Sequence, residues 1–567
     1  MLAPAPGKSD CPTLPFKRQV GQRQHDNSTQ VILSGNLPPF PDSPRESHGY
    51  PPMRSSRNTK SSSELRAELM EEPAARGSIT EHVFHQKISH FPADPKYAPH
   101  VDGTFPQRYW IDTSFYRRGG PVFLLHSGQL EGTLRIPFLQ KGILRLLTET
   151  FGGVGVILEM RYYGTSFPTK DLSTDSMRFL DIKQSLADVA YFSQKIVFPG
   201  LEAQNLTASK AAWIHYGGKF SFSSTAGAQA AYMKLEYPEL TWGAIASSAT
   251  VEAIVSFSAY WQSIEETGDK ECIKGFQTVM ATVDSIIGSQ DEKAIAKMKA
   301  DFGVATLTHI DDFANLLTWL PATYQDQNWD PNAAADSQTW SRGCAVLKKA
   351  GGEKPSGSPY PAVYHTYANI TSQYVSQENV CPPPTNADDC FGTHNVKPFL
   401  ASDLTQVWRS WFYQACKEEG FFLVHPSDTK PSIVSRYLTL PYQTRQCKQA
   451  FPPGAHNRLP ATPEVSRLNS YGGVKIEADR LAFIDGEFDP WIHATPHSPS
   501  APHRTSTSLR PFYLINKAVH HWDENGIGGG LSNPKLPQEI RDVLKFEVDF
   551  VSSWLDDYNK RGGGHSS

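Results

Sequence analysis

Six short apolar runs stand out along the chain: Val122-Phe-Leu-Leu125, Val154-Gly-Val-Ile-Leu158, Ala212-Trp-Ile-His-Tyr216, Trp242-Gly-Ala-Ile-Ala246, Leu481-Ala-Phe-Ile484 and Phe512-Tyr-Leu-Ile515. None alternates with polar residues, and each is bounded by turn-forming residues, the pattern of a strand buried on both faces. Between them, Ser185 to Phe198 and Ala226 to Tyr237 place apolar side chains at helical spacing. Strand followed by helix, repeated, predicts an α/β chain with a parallel sheet wound by helices. From about Val251 to Leu440 the pattern turns helix-rich, with Pro-rich connectors such as Cys381-Pro-Pro-Pro384. That stretch predicts a lid inserted into the sheet domain, which the later apolar runs complete. The expected organisation is 1–75 an extension, 76–250 the first part of the core, 251–440 the lid, 441–560 the second part and 561–567 a flexible tail.

Composition changes this picture mainly at the N-terminus. Residues 1–75 hold 11 of the 43 prolines and are otherwise rich in Ser, Arg, Lys, Asn and Gln, which predicts disorder. The opening Met-Leu-Ala-Pro-Ala-Pro-Gly-Lys lacks the continuous apolar stretch of an export signal. With 54 basic and 58 acidic side chains the charge is near balance, so nucleic acid is not an implied partner. No run of 18 apolar residues occurs, and no membrane span is expected.

Seven cysteines are present, Cys11 in the extension and Cys272, Cys344, Cys381, Cys390, Cys416 and Cys447 in one later stretch. Six clustered cysteines could form three bridges, with about 15 pairings open, and suit an oxidising compartment. There is no Cys-x-x-Cys pair, so zinc and metals generally are not expected. The triplets Asn27-Ser28-Thr29, Asn205-Leu206-Thr207 and Asn369-Ile370-Thr371 agree with secretion as a glycoprotein.

Chemistry concentrates at three strand ends. At Tyr216-Gly217-Gly218-Lys219-Phe220-Ser221-Phe222-Ser223-Ser224-Thr225-Ala226-Gly227-Ala228-Gln229, a buried strand ends in glycines, serines follow and a small-residue helix begins. This is the layout of a nucleophile elbow, which lifts a Ser hydroxyl above the sheet. Ile484-Asp485-Gly486-Glu487-Phe488-Asp489-Pro490-Trp491 ends a second strand in a carboxylate fixed by Pro, and Ala518-Val519-His520-His521 ends a third in a His pair. Singly, each is an ordinary turn or surface feature. Jointly their order, Ser then Asp then His, is that of the triad on an α/β-hydrolase sheet.

These residues resemble the prolyl carboxypeptidase and dipeptidyl-peptidase II family of serine peptidases, particularly its fungal members, which include acid prolyl endopeptidases. The resemblance spans about residues 80 to 560. It rests on Phe84-His-Gln-Lys-Ile-Ser-His-Phe91, Thr104-Phe-Pro-Gln-Arg-Tyr-Trp110, Gly120-Pro-Val-Phe123, Glu159-Met-Arg-Tyr-Tyr-Gly164, Tyr216-Gly-Gly218 with Ala226-Gly-Ala-Gln229, Trp242 to Ser248, Gln414-Ala-Cys-Lys-Glu418 and Gly486-Glu-Phe-Asp-Pro-Trp491. It implies an α/β-hydrolase fold with an inserted helical, disulfide-bearing lid, and cleavage on the carboxyl side of proline in proline-containing peptides. It further implies Ser224 as nucleophile, Asp489 as the acid and His520, rather than His521, as the base, although Ala518 replaces the family's usual Gly. The Thr225 backbone N–H would serve the oxyanion where the family has Tyr, Trp491 would wall the proline pocket, and Arg161 would tie core loops together. No cofactor is implied, a homodimer is left open, and the compartment is secreted or vacuolar/lysosomal.

One departure bears on activity. The family runs Tyr-Gly-Gly directly into the nucleophile, whereas here Lys219-Phe-Ser-Phe-Ser223 intervenes and puts Phe222 and Ser223 before Ser224. The elbow leaves little room for a side chain two residues before the Ser. The five residues read as a misassigned splice junction, as a looped-out insertion, or as an inactivating one. The alternatives to a peptidase are therefore a catalytically silent α/β-hydrolase-fold binding protein and a generic esterase.

Overall fold

In the computed structural model all six apolar runs are neighbouring strands of one eight-stranded sheet. The residues described are 79–218, 225–330, 337–377, 380–381, 385–427, 430–527 and 529–562. The 1–75 extension, the 219–223 segment, Ser224 and the last residues of the tail lie outside them.

The strands are β1 (Ile79–Lys87), β2 (Thr104–Asp112), β3 (Val122–His126), β4 (Val154–Leu158), β5 (Trp213–Gly217), β6 (Gly243–Ser247), β7 (Ile254–Ser256), β8 (Gly420–Phe422), β9 (Leu481–Gly486) and β10 (Phe512–Ile515). The large sheet runs β1-β2-β4-β3-β5-β6-β9-β10. β4, β3, β5, β6, β9 and β10 are mutually parallel, and β2 is antiparallel to both β1 and β4. This order, with one reversed strand near an edge, is the α/β-hydrolase fold.

Period-two alternation divides the core into two layers. Tyr109, Ile111, Leu124, Val156 and Trp213 face the helices Ile182–Lys195 and Thr225–Glu236. Trp110, Phe123, Leu125, Ile157, Ile214 and Ile245 face the helices Ile143–Phe151 and Gln538–Lys560. Two readings need correction. The run Phe512–Ile515 is an edge strand rather than one buried on both faces, since Leu514 is 43% exposed. The helix read as starting at Ser185 begins at Ile182, where the Asp181 carboxylate caps the Gln184 N–H.

Among the described residues between β6 and β9, helices predominate from Ala259 to Ala450, and the short strands β7 and β8 pair in parallel. The six clustered cysteines pair as Cys272–Cys344, Cys381–Cys390 and Cys416–Cys447. The first joins the helices Lys270–Gly288 and Thr339–Ala350, and the third joins the π-helical turn Ala415–Glu419 to the helix Leu440–Ala450. A third apolar cluster, including Tyr162, Phe179, Phe412 and Phe451, packs this region onto the loop after β4. Arg161 does tie core loops: fully buried, it donates to Asp188 at 2.6 and 2.5 Å and to the carbonyls of Lys87, Ile88 and Phe179. Among the described residues no helix is long and apolar enough to cross a membrane.

Candidate active site

β5 ends at Gly217, and the helix beyond it starts at Thr225. The glycines here answer to contact. A Cβ on Gly217 would lie 1.9 Å from the Ala226 carbonyl oxygen, and one on Gly218 would lie 1.2 Å from Glu524 Oε1. On the helix, a Cβ on Gly227 would meet the Ser247 carbonyl oxygen at 2.7 Å. Strand end and helix start are thus held close to each other and to β6 because no side chain stands between them.

Ser224 immediately precedes Thr225, where the described helix begins. The Thr225 hydroxyl donates to Glu419 Oε1 at 3.3 Å, and Gln129 Nε2 donates to both Glu419 oxygens at 2.8 and 3.0 Å. Gln414, whose Oε1 accepts from the Tyr163 hydroxyl at 2.6 Å, completes a buried network that links the loop after β3, the helix start and the π-helical turn.

The loops after β9 and β10 are locked together by main-chain bonds: Glu487 N donates to Ile515 O, and Phe488 N to Ala518 O. They bring Asp489 and His520 together, with Asp489 Oδ2 2.7 Å from His520 Nδ1 and Asp489 Oδ1 accepting from Trp491 N at 2.9 Å. Both side chains are buried. The carboxylate accepts the Nδ1 proton and leaves Nε2 as the basic nitrogen. His521, next in sequence, turns elsewhere on a backbone with φ of 58°: its N–H donates to Ser248 Oγ, and its Nδ1 lies 3.2 Å from Glu524 Oε1.

Beneath these loops is a buried acidic group that sequence reading did not anticipate. Asp523 accepts from Tyr216 Oη at 2.6 Å and from Ser247 Oγ at 2.7 Å, and burial pushes its carboxyl up to about 6. Burial, and secondarily the Asp523 charge, raises Glu524 and Glu547 as well. Trp491 sits at the centre of an aromatic cluster: stacked on Phe257 at 5.4 Å, edge-on to Tyr260 and Phe421, and donating to Gln325 Oε1 at 2.8 Å. These rings leave it 1% exposed. A cavity of about 550 Å³ reaches Phe488 and Val519, the residues before Asp489 and His520, and is walled by Tyr324, Trp340 and Trp522.

Glu419 escaped sequence reading because Gln129 and Thr225 reach it from far off in the chain, and Glu524 because its approach to Gly218 exists only in the fold. The nearest signal was the motif Gln414 to Glu418, which stops one residue short of Glu419 and whose Gln414 bonds it.

Comparison with known proteins follows the same outline. The family model described as "Serine carboxypeptidase S28" matches residues 87–530. The chain is 37% identical over 501 residues to "Probable extracellular serine carboxypeptidase" of Arthroderma benhamiae, covering 84% of this chain and 68% of that protein. It is 27% identical to "Serine protease vicPa" of Bipolaris victoriae, covering 81% and 86%. It is 29% identical to "Thymus-specific serine protease" of Mus musculus, covering 78% and 84%.

Proposed function

The chain belongs to the serine carboxypeptidase S28 family, and from that premise we propose that it cleaves peptides on the carboxyl side of proline with Ser224, Asp489 and His520 as its triad. The observation that carries the reading is the buried 2.7 Å contact of Asp489 with His520 Nδ1. It lies at the C-terminal ends of parallel strands, in the same sheet whose β5 leads to Ser224. Position at that edge, on loops after different strands, is where such a fold gathers its reactive groups.

In the proposed reaction His520 Nε2 takes the Ser224 hydroxyl proton as Oγ attacks the carbonyl carbon of the proline residue. The Thr225 N–H donates to the oxygen that gains charge. His520 then passes its proton to the departing amine, leaving an acyl-enzyme, and activates a water that releases the acid and regenerates the serine. Asp489 holds the imidazole in the Nδ1–H tautomer and stabilises its charged form. The aromatic group around Trp491 offers flat apolar rings that complement a pyrrolidine ring. The inserted helical region is the lid over this edge. Three disulfides and a relative named extracellular support an exported enzyme.

The test pairs hydrolysis of proline-containing peptides with fluorophosphonate labelling of the purified chain and of Ser224→Ala. Proline-dependent cleavage and a label on Ser224 that the variant loses are expected. The five residues before Ser224 favour one second reading, a silent peptide-binding protein, and peptide binding without label or turnover would establish it in place of the first. Turnover of short-chain esters without any proline peptide would instead mark an esterase.

A further inference from the structure

We propose that His309, Asp311 and His394, within the inserted helical region, form a binding site for a zinc-class divalent cation. His309 immediately precedes the helix Ile310–Leu316, Asp311 lies in its first turn, and His394 follows the helix Ala387–Phe391. Each offers one ligand atom, and the three atoms lie within 4.8 Å of one another. His394 Nε2 is 2.9 and 3.1 Å from the two Asp311 oxygens, and the His309 ring stacks on His394 with centroids 3.4 Å apart and planes at 8°. Tetrahedral zinc with bonds of about 2.1 Å sets its ligand atoms roughly 3.4 Å apart, so the set needs a small contraction. In the parallel stack the two ring lone pairs point along separate planes, and one ring must tilt for both to meet an ion. His309 can supply that tilt, since its side chain makes no capping hydrogen bond at the helix start. Two imidazoles and one carboxylate suit zinc, copper or nickel, whereas calcium and magnesium prefer oxygen ligands.

The site is held from behind. Asp312, buried at 1% exposure, accepts from Thr393 N at 3.0 Å, Thr393 Oγ1 at 2.6 Å and Tyr442 Oη at 2.9 Å. That clamp fixes Thr393, and therefore His394, against the helix that carries Asp311. Such a supporting shell orients ligands before the metal arrives.

Arg445 is the cation now at the site: Nη1 lies 3.4 Å from Asp311 Oδ2 and 3.3 Å from His394 Nδ1, while Nη2 donates to Thr393 Oγ1 at 2.9 Å. Facing an N–H donor at Nδ1, His394 carries its proton at Nε2, toward Asp311. Metal binding at Nε2 moves that proton to Nδ1 and turns Nη1 away, while Nη2 keeps its bond to Thr393. Removing the guanidinium charge therefore favours the metal. The sequence carries no ligand spacing for this site, because His309 and His394 are brought together only by the fold.

The experiment is calorimetric titration of the tag-free full chain with zinc chloride, repeated on His309→Ala, His394→Ala and Arg445→Gln. One site with a dissociation constant on the order of micromolar is expected. It should weaken at least about tenfold in each His variant and tighten in Arg445→Gln, and zinc should raise the melting temperature of the wild type but not of the His variants. His309 is half-buried and makes no capping bond, so without zinc His309→Ala should melt like the wild type, which separates loss of the site from loss of the fold. Absence of saturable binding to the wild type, or zinc affinity unchanged in His309→Ala, would overturn the proposal.

Discussion

Asp523 lets pH be turned into a predicted change in stability with a definite sign. Its carboxyl is buried beneath the β6 and β10 loops, and burial lifts it from 3.8 to about 6. Between those values the folded chain holds a proton that the unfolded chain has released, so folding stability falls as pH rises through the window. The contribution is fully present below about pH 3.8 and gone above about pH 6. A displacement of about 2.2 units at 1.36 kcal/mol per unit amounts to about 3 kcal/mol. Glu524 and Glu547 are shifted in the same direction and carry the decline further. His126 and His215 act oppositely. Buried together at 3.1 Å, both are pushed down, His126 to about 3, so they cost stability as pH falls below the imidazole value of 6.5.

The whole pH curve is a sum of these opposed terms, and the difference between wild type and Asp523→Asn isolates one of them. Asn keeps an oxygen for the Tyr216 hydroxyl, and the Ser247 hydroxyl can reverse to accept from the amide, so the substitution removes the titration with little loss of bonding. Urea unfolding of both proteins from pH 4 to pH 7, with disulfides intact, is the assay. Stability of the variant relative to the wild type should rise by about 2 kcal/mol across that range, most of it between about pH 4 and 6. A difference constant to within about 0.5 kcal/mol would refute the assignment of a raised, buried carboxyl at Asp523.

Asp489→Asn should leave the melting temperature nearly unchanged and lower kcat on a proline peptide by about 10⁴, because the amide favours the wrong imidazole tautomer. Steady-state kinetics decide this, and a loss below about tenfold would remove Asp489 from the triad. Arg161→Met strands the Asp188 carboxylate, which is left with His90 at 2.8 Å. It should destabilise the fold by about 3–5 kcal/mol, read by chemical denaturation, whereas a change under about 1 kcal/mol would contradict a structural role for that pair.

The central strands were legible because they are short and covered on both faces, which strips polar residues from them. β1 was not, because it pairs along one edge only, and its sequence Ile-Thr-Glu-His-Val-Phe-His-Gln-Lys is mostly polar. Its buried Gln86 is satisfied by Gln107 and the Asp188 carbonyl, partners that no local pattern announces. The meeting of Asp489 and His520 was legible for a local reason: each lies a few residues beyond a strand, and parallel neighbouring strands deliver such loops to the same edge. Glu419 reaches Gln129 across a sequence separation of 290, so that network exists only once the inserted helices have packed.

The glycines around the elbow carry this argument one step further. Tyr-Gly-Gly could be read as a turn signal, but its physical reason is the approach of Glu524, from far along the chain, to Gly218 and of the Ala226 carbonyl, at the start of the next helix, to Gly217. On the other side, Gly227 is pressed against β6 through the Ser247 carbonyl. Strand end and helix start are each set by backbone packing that leaves no space for a Cβ. The five extra residues before Ser224 therefore have to be accommodated between two fixed ends. Deleting residues 219–223 from the gene tests this directly. If the anchors are as rigid as their packing implies, the shortened chain, reading Tyr-Gly-Gly-Ser-Thr-Ala-Gly-Ala-Gln, should fold with an unchanged melting temperature and label with fluorophosphonate at least as fast as the full chain. A shortened chain that failed to fold would show that the segment is itself part of what holds the two ends in place.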